Sequence, residues 1–129
     1  MNPVETFAAE ITEITPLFQE EIKAISAYWH PSSPPPTEIL GALGQELVRN
    51  WREITEEQKI RLADAIERGA IHSDEILATA TLTGLVEASL NAAANSTECS
   101  EADIMKFLGP FARKYAESWL EFYGCYIEI

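Results

Sequence analysis

The chain has 129 residues, of which 47% are hydrophobic and 23% charged, a composition typical of one globular domain spanning residues 1–129. Its 21 acidic and 9 basic residues give a formal net charge of −12. This charge argues against binding to nucleic acid and to anionic membrane surfaces, since both need clustered Lys and Arg. Two interpretations stay open: a well-solvated surface, or a surface that meets a basic protein partner.

The N-terminal part of the chain predicts two helical pieces and a connector. Thr15 and Pro16 have the pattern of an N-cap followed by Pro at the first helical position. Apolar residues then recur at helical spacing as far as Trp29. The second piece is expected to end at His30, because a residue that precedes Pro is pushed out of the α region. The Pro-rich stretch 31–36 predicts a stiff, extended connector within the domain.

The middle of the chain predicts two more helices. The first begins at Thr37, and its apolar stripe has steps of three and four residues: Leu40, Leu43, Leu47 and Trp51. The second begins with a capping box, in which Thr55 is the N-cap and Gln58 the N3 residue. It is expected to run to about Arg68 and to stop at Gly69, a suitable C′ residue.

The next helix is expected to be central and buried. Ser73 is its predicted N-cap, and it continues to about Ala94 with apolar residues on nearly every face. The stretch is rich in Ala, Thr and Ser, so it lacks the sustained apolarity that a membrane span requires.

The C-terminal part predicts a further capped helix and a tail. Ser100 and Asp103 form an imperfect capping box. Gly109 and Pro110 kink or restart the helix, and Gly124 is expected to end it, leaving a short irregular tail. Together the patterns predict an all-α protein: a compact bundle of about six helices in antiparallel hairpins, or a short solenoid-like array.

No motif for a cofactor, a metal ion or phosphate is present, so we expect no cofactor, no metal site and no catalytic set. His30 and His72 are far apart in sequence and are expected at helix ends rather than in a site. Cys99 and Cys125 are expected to be free thiols in a reducing cytoplasm, since no secretory signal is visible. A bridge between them stays open, because sequence does not give their separation.

Glu87 is the single charged residue between Ile76 and Thr97. It has a functional interpretation, a buried carboxylate with a raised pKa that acts as an acid or base. The favoured interpretation is structural: a solvent-facing stripe with Thr83 and Asn91, or a pair with an Arg elsewhere.

A topological argument gathers acidic residues at one pole of the domain. If the helices that start near residues 56 and 74 are antiparallel, the start of the first lies near the end of the second, where the Ser100 helix also begins. Arg49, Arg52 and Lys106 would neutralise part of this pole. Acids also stabilise helix N-termini, so an ordinary structural role and an interface role stay equally open. The predicted partner-binding residues are the carboxylates of the pole and one aromatic residue beside the Pro-rich connector: Glu53, Glu56, Glu57, Glu98, Glu101, Asp103 and Trp29.

Three groups of short motifs lie between residues 38 and 123, about two-thirds of the chain. They are Glu67-Arg68-Gly69; Leu85-Val86-Glu87 with Leu90-Asn91; and Phe107-Leu108-Gly109-Pro110 followed by Arg113-Lys114-Tyr115. On these motifs the segment resembles an uncharacterised family of small acidic helical bacterial proteins. The resemblance implies a helical cytosolic protein of bacteria. Small acidic proteins of this kind include immunity proteins, which block a toxin made by neighbouring or sister cells. The resemblance transfers no functional residue.

Three functional hypotheses follow. The first is a non-enzymatic immunity protein that covers the active site of a basic toxin, a nuclease domain, by electrostatic complementarity. The second is a helical adaptor or regulatory protein that forms a homodimer through Trp29 or the Ala-rich stretch 92–94. The third is an enzyme with a helical-bundle site centred on Glu87.

Overall fold

The structure is a computed structural model that describes the backbone of residues 2–127 and the side chains of residues 2–123. Within these residues the chain forms seven helices and no strand, so the prediction of an all-α fold with about six helices is confirmed. The helices are α1 (Pro3–Ile14), α2 (Gln19–Trp29), α3 (Pro36–Arg49), α4 (Glu56–Ala70), α5 (Glu75–Ala94), α6 (Glu101–Phe107) and α7 (Pro110–Ile127). One continuous hydrophobic cluster, from Val4 to Ala116, forms the core.

The centre of the fold is a close contact between α3 and α5. A Cβ atom at Gly44 of α3 would lie 2.4 Å from the carbonyl oxygen of Leu85, and one at Gly84 of α5 would lie 3.1 Å from the Cβ of Leu40. The two backbones therefore touch where glycine leaves room for them. Part of α5, Ala80–Val86, is a π-helix, and this segment lies against α3.

By length and composition alone, α5 could cross a membrane. Half of the residues in its most apolar window are buried inside the fold. Leu85, Val86 and Leu90 belong to the core cluster. This is the pattern of a central helix, as the sequence predicted.

Both predicted capping boxes are confirmed. Thr55 Oγ1 accepts the backbone N–H of Gln58 at 3.1 Å, and Gln58 Oε1 accepts the N–H of Thr55 at 3.0 Å. The same reciprocal bonds join Ser100 and Asp103, at 3.0 and 2.9 Å. Each box satisfies two backbone donors that a helix N-terminus would otherwise leave unpaired.

The predicted helix end at Gly69 is wrong. The helix α4 continues through Gly69 to Ala70, and Gly69 has no positive φ. A Cβ atom at Gly69 would lie 2.8 Å from a ring carbon of Phe7 and 2.9 Å from Thr81 Oγ1. The glycine is therefore where α1 approaches α4 closely, and it does not end the helix.

Three other predicted helix ends are also corrected. The N-cap of α5 is Asp74, which accepts the N–H of Leu77 at 2.9 Å, and not Ser73. The helix α3 ends at Arg49, so Trp51 lies in the turn that follows it. The last helix passes through Gly124 to Ile127, so no irregular tail begins at Cys125.

The start of the second helical piece differs from its prediction in detail. Pro16–Phe18 is a short 3₁₀ turn that leads into α2, and Thr15 precedes it without a side-chain capping bond. The hydroxyl of Thr15 is buried and has no hydrogen-bond partner among the described residues. The predicted end of α2 before the His30-Pro31 peptide is confirmed.

A carboxylate from α4 caps the start of α7. Glu67 Oε2 accepts the N–H of Phe111 at 2.7 Å, and Oε1 accepts the N–H of Ala112 at 3.0 Å. A Cβ atom at Gly109 would lie 2.9 Å from the Glu67 carboxyl carbon, so glycine leaves room for this approach. The charge of Glu67 also favours the positive end of the helix dipole. This contact fixes where α7 begins.

Candidate functional site

The residues of the predicted acidic pole lie on two segments, the turn before α4 with its first helical turn, and the loop before α6 with the start of that helix. Arg52 Nε of the turn and Glu98 Oε2 of the loop form an ion pair at 2.6 Å, so the two segments are held together. Glu53 and Glu57 are exposed on the turn and on the first turn of α4, and Glu101 is half-buried at the start of α6. We call the six carboxylates of these two segments the acidic end: Glu53, Glu56, Glu57, Glu98, Glu101 and Asp103.

A hollow of about 420 Å³ lies beside the acidic end. Its walls include the rings of Trp51 and Phe107, which meet edge to face with centroids 5.5 Å apart. Lys59 Nζ lies 4.0 Å from the centroid of a Trp51 ring, a cation–π contact. Glu56 and Asp103 also line this hollow, so the structure brings two of the six carboxylates to one concave surface.

Part of the negative charge of the acidic end is neutralised. Glu56 Oε1 lies 3.5 Å from Lys59 Nζ, and Glu98 pairs with Arg52. The predicted neutralising role of Arg49 is wrong, because its guanidinium pairs with Glu46 at 2.6 Å. Lys59, which sequence reasoning missed, takes that role.

Asp103 has a structural task that limits its use for binding. The backbone N–H of Ser100 donates to its carboxylate, and this bond lowers the pKa of Asp103, with smaller contributions from Lys106 and Lys59. Besides Asp103, three carboxylates take part in no ion pair within the side chains that the structure describes, and they are the free charges of the acidic end: Glu53, Glu57 and Glu101.

Trp29 is not the exposed anchor that the sequence suggested. Its side chain is half-buried, and its Nε1 atom is buried without a hydrogen-bond partner among the described residues. The neighbouring ring of Tyr28 meets it edge to face with centroids 5.8 Å apart, and Tyr28 is 81% exposed. The accessible ring at this corner therefore belongs to Tyr28.

Glu87 lies in a structural pair. The Tyr115 hydroxyl donates a hydrogen bond to Glu87 Oε2, and Glu87 is half-buried between the exposed residues Thr83 and Asn91. Burial raises the pKa of Tyr115, and the bond to Glu87 adds to this effect. Glu87 therefore lies on the predicted stripe with Thr83 and Asn91, and its partner from another helix is a tyrosine and not the arginine that the alternative prediction named.

The two side chains that would have joined Glu87 in an enzyme site have other surroundings. His72 is exposed, and its Nδ1 accepts the N–H of Asp74 at 2.9 Å. Cys99 is a buried free thiol, and burial together with the charge of Asp103 raises its pKa to about 11. A thiol of that pKa carries little thiolate at neutral pH. The question of a bridge to Cys125 lies outside the described side chains.

Another concave surface of the described chain is a groove that sequence reasoning missed. It has a volume of about 740 Å³ and lies between α1, α2 and the connector 31–36. Val4, Ala8, Ile22 and Ile39 give it apolar walls. The available signal was the pairing of a Pro-rich connector with small residues on α1. No polar side chain that lines the groove is buried without a partner.

Among the described residues, no group of three or more His, Cys, Asp or Glu side chains is placed to hold a metal ion. No family model, curated protein or solved structure matches the chain. The resemblance to a family of small acidic bacterial proteins therefore stays a prediction, and the function has to be argued from the surface itself.

Proposed function

We propose that this chain is a cytoplasmic immunity protein, which binds and neutralises a basic bacterial toxin domain, a nuclease, through its acidic end. The observation that carries the proposal is an aromatic-walled hollow lined by Glu56 and Asp103, with the free carboxylates Glu53, Glu57 and Glu101 close to its lining residues in sequence. A nuclease attracts phosphate, so its cleft is positive, and an acidic surface complements it. Covering that cleft would exclude nucleic acid.

The charges and the hollow have different tasks in this proposal. Glu53, Glu57 and Glu101 steer the partner into contact and raise the association rate. The hollow receives one side chain of the partner. Its two carboxylates and two lysines balance in charge, so selection for a basic partner comes from the free carboxylates outside it. Trp51 and Phe107 give that side chain an aromatic contact surface, and such buried aromatic contacts supply much of the affinity at protein interfaces.

The experiment measures inhibition of the basic nuclease toxin that the proposal expects to find encoded beside this gene. The wild-type chain at an equimolar amount is expected to abolish nuclease activity. Reversal of two free charges, Glu53→Lys with Glu57→Lys, is expected to slow association about tenfold or more at low salt, and less at high salt.

The matched control is Glu20→Lys with Glu38→Lys, two exposed glutamates on α2 and α3. It changes the net charge by the same amount and is expected to leave most of the association rate intact. Failure of the wild type to inhibit at equimolar amounts overturns the proposal. An equal loss in the control means that total charge, and not the acidic end, directs binding.

A helical adaptor that works through homodimerisation is the second candidate function. The Ala-rich stretch gives it little support, because Ala93 is buried in the core and the three alanines do not form one exposed face. Trp29 gives little more, since it is half-buried. The observation that favours self-association is the exposed aromatic face of α7.

The enzyme centred on Glu87 remains an alternative hypothesis that this geometry does not support. Its discriminating feature was a closed polar pocket that holds Glu87 with His72 or Cys99. Glu87 is instead bound to Tyr115 and flanked by exposed residues.

A further inference from the structure

The helix α7 has two faces of different character. Ala112 and Ala116 are fully buried and hold the helix against the core. On another face, Phe111 is 47% exposed and Phe122 is 72% exposed. The two rings stand on the same side of the helix about three turns apart, and exposed aromatic side chains on one helix face are typical of a protein–protein contact.

The exposed face follows a coiled-coil pattern. Phe111, Tyr115, Ser118 and Phe122 are separated by steps of four, three and four residues, the spacing of alternating d and a positions. Phe111, Ser118 and Phe122 are exposed, whereas Tyr115 is half-buried against the core and lies at the margin of this face. In that register Lys114 and the residue seven positions later occupy g positions on one flank of the face. A face of this kind is suited to packing against a second helix.

The charged residues beside this face indicate which partner helix it binds and in which direction that helix runs. Lys114 and Glu121 are both exposed, and neither forms an ion pair within the described part of the chain. When two identical helices pack antiparallel, the same flank of each faces the other, so Lys114 of each copy meets Glu121 of its partner. A parallel pair would bring this flank against the opposite one instead, where Trp119 lies.

We propose that the exposed face of α7 binds the same face of a second copy of this chain, antiparallel and with two-fold symmetry. Phe111 and Phe122 form the apolar layers between the helices, and Tyr115, which stays bonded to Glu87, lies at their margin. Two symmetric Lys114–Glu121 pairs fix the direction. The contact does not depend on the acidic end, so this inference stands or falls separately from the proposed function.

Self-association must overcome the mutual repulsion of two chains that each carry a net charge of −12. This gives the charge pairs a diagnostic use. Glu121→Lys makes the chain less negative and would strengthen any non-specific association. In the proposed dimer the same change removes both ion pairs and places the introduced lysine of each copy against Lys114 of its partner, so it weakens association.

The test is sedimentation velocity of the full chain at physiological salt over a range of concentrations. The wild type is expected to form dimers. Phe122→Ser is expected to raise the dissociation constant about tenfold or more, since it removes a central aromatic contact. Lys114→Glu and Glu121→Lys are each expected to raise it about tenfold, because each replaces two attractive pairs by two repulsive ones.

The double reversal, Lys114→Glu with Glu121→Lys, restores the pairs at unchanged net charge and is expected to recover wild-type association. Tyr28→Ser is the matched control, because Tyr28 is an equally exposed ring on α2, and it is expected to leave the dimer intact. Circular dichroism checks that each variant folds. All of the substituted side chains are exposed, so the substitutions are expected to leave the fold intact.

A wild type that stays monomeric at its highest soluble concentration overturns the proposal and leaves the face to a different protein. A dimer that tolerates Phe122→Ser, or a Glu121→Lys chain that associates more tightly, overturns it as well. A double reversal that is no better than the single ones excludes the antiparallel arrangement.

Discussion

The contact between α3 and α5 has no free space around the two glycines where the helices touch, whereas the outer face of α7 leaves large side chains exposed to solvent. At Gly44 and Gly84 the backbones of two helices touch, and an added methyl group meets main-chain or Cβ atoms within 2.4–3.1 Å. On α7, Phe111 and Phe122 stand in solvent. Substitutions in the first region should change the stability of the fold, and substitutions in the second should change only what the fold binds.

The largest expected effect is at Gly44. In Gly44→Ala the new Cβ would lie 2.4 Å from the carbonyl oxygen of Leu85, so α3 and α5 have to separate. Overpacking of this kind costs about 1–3 kcal/mol of unfolding free energy, which exceeds the roughly 1 kcal/mol that alanine gains over glycine in a helix. Urea denaturation followed by circular dichroism measures the difference.

Gly41→Ala is the matched control in the same helix, since its Cβ would meet nothing within 4 Å. It is expected to stabilise the protein by up to about 1 kcal/mol through helix propensity alone. Equal effects at Gly41 and Gly44 would contradict the close contact.

The second prediction concerns the carboxylate that anchors α7. Glu67→Ala removes both acceptors for the N–H groups of Phe111 and Ala112. The expected loss is about 1–2 kcal/mol of unfolding free energy, as for other N-terminal caps. Glu67→Gln keeps one acceptor oxygen and should lose less. If both variants denature at the wild-type urea concentration, the cap contributes nothing to stability.

The third prediction concerns the pH dependence of the unfolding free energy, to which the Tyr115–Glu87 pair between α7 and α5 is expected to make a smaller contribution. Burial and Glu87 raise the pKa of Tyr115 above its ordinary 10.0, so the unfolded chain loses the phenolic proton first. The contribution of this group to the unfolding free energy is therefore complete below pH 10 and falls as the pH rises above it.

Tyr115→Phe removes that titration. Its unfolding free energy should fall less than that of the wild type between pH 9 and pH 11. Cys99, whose pKa is raised to about 11, titrates in the same range in both proteins, so the difference between them isolates Tyr115. Parallel curves for the two proteins would show that the phenol does not contribute.

The smallest effect on stability is expected at the outer face of α7. Phe122→Ser, measured at concentrations where the chain is monomeric, should change the unfolding free energy by less than about 0.5 kcal/mol. The ring is 72% exposed and has little to lose on substitution. A loss as large as that at Gly44 would mean that Phe122 belongs to the core, and the contrast between the two regions would fail.

Sequence reasoning succeeded where a signal is local. The capping boxes at Thr55 and Ser100 depend on a residue three positions away, so the printed sequence contains both partners. The prediction at Gly69 was wrong because the role of this glycine is set by Phe7, a residue on another helix. The glycine signal for a helix end and the glycine signal for a close approach look the same in sequence.

The predictions for the candidate site also depended on how local their signals were. The antiparallel argument placed the acidic end by connection lengths, and the ion pair between Arg52 and Glu98 joins the two segments it involved. The contact of Lys59 with Trp51 and the capping role of Glu67 were missed, because both need side-chain geometry between distant elements. Gly109 before Pro110 offered one hint, since neither residue has a side chain that can cap α7.

The π-helical segment Ala80–Val86 has a consequence for sequence comparison. Such a turn corresponds to one surplus residue inside an otherwise α-helical stretch. Losing a single residue there would leave Leu90 and its neighbours facing the interior. The same deletion elsewhere in α5 would rotate all that follows by roughly 100° and bring Leu90 out into water. An alignment of this chain with distant homologues is therefore expected to show a one-residue gap between positions 80 and 86.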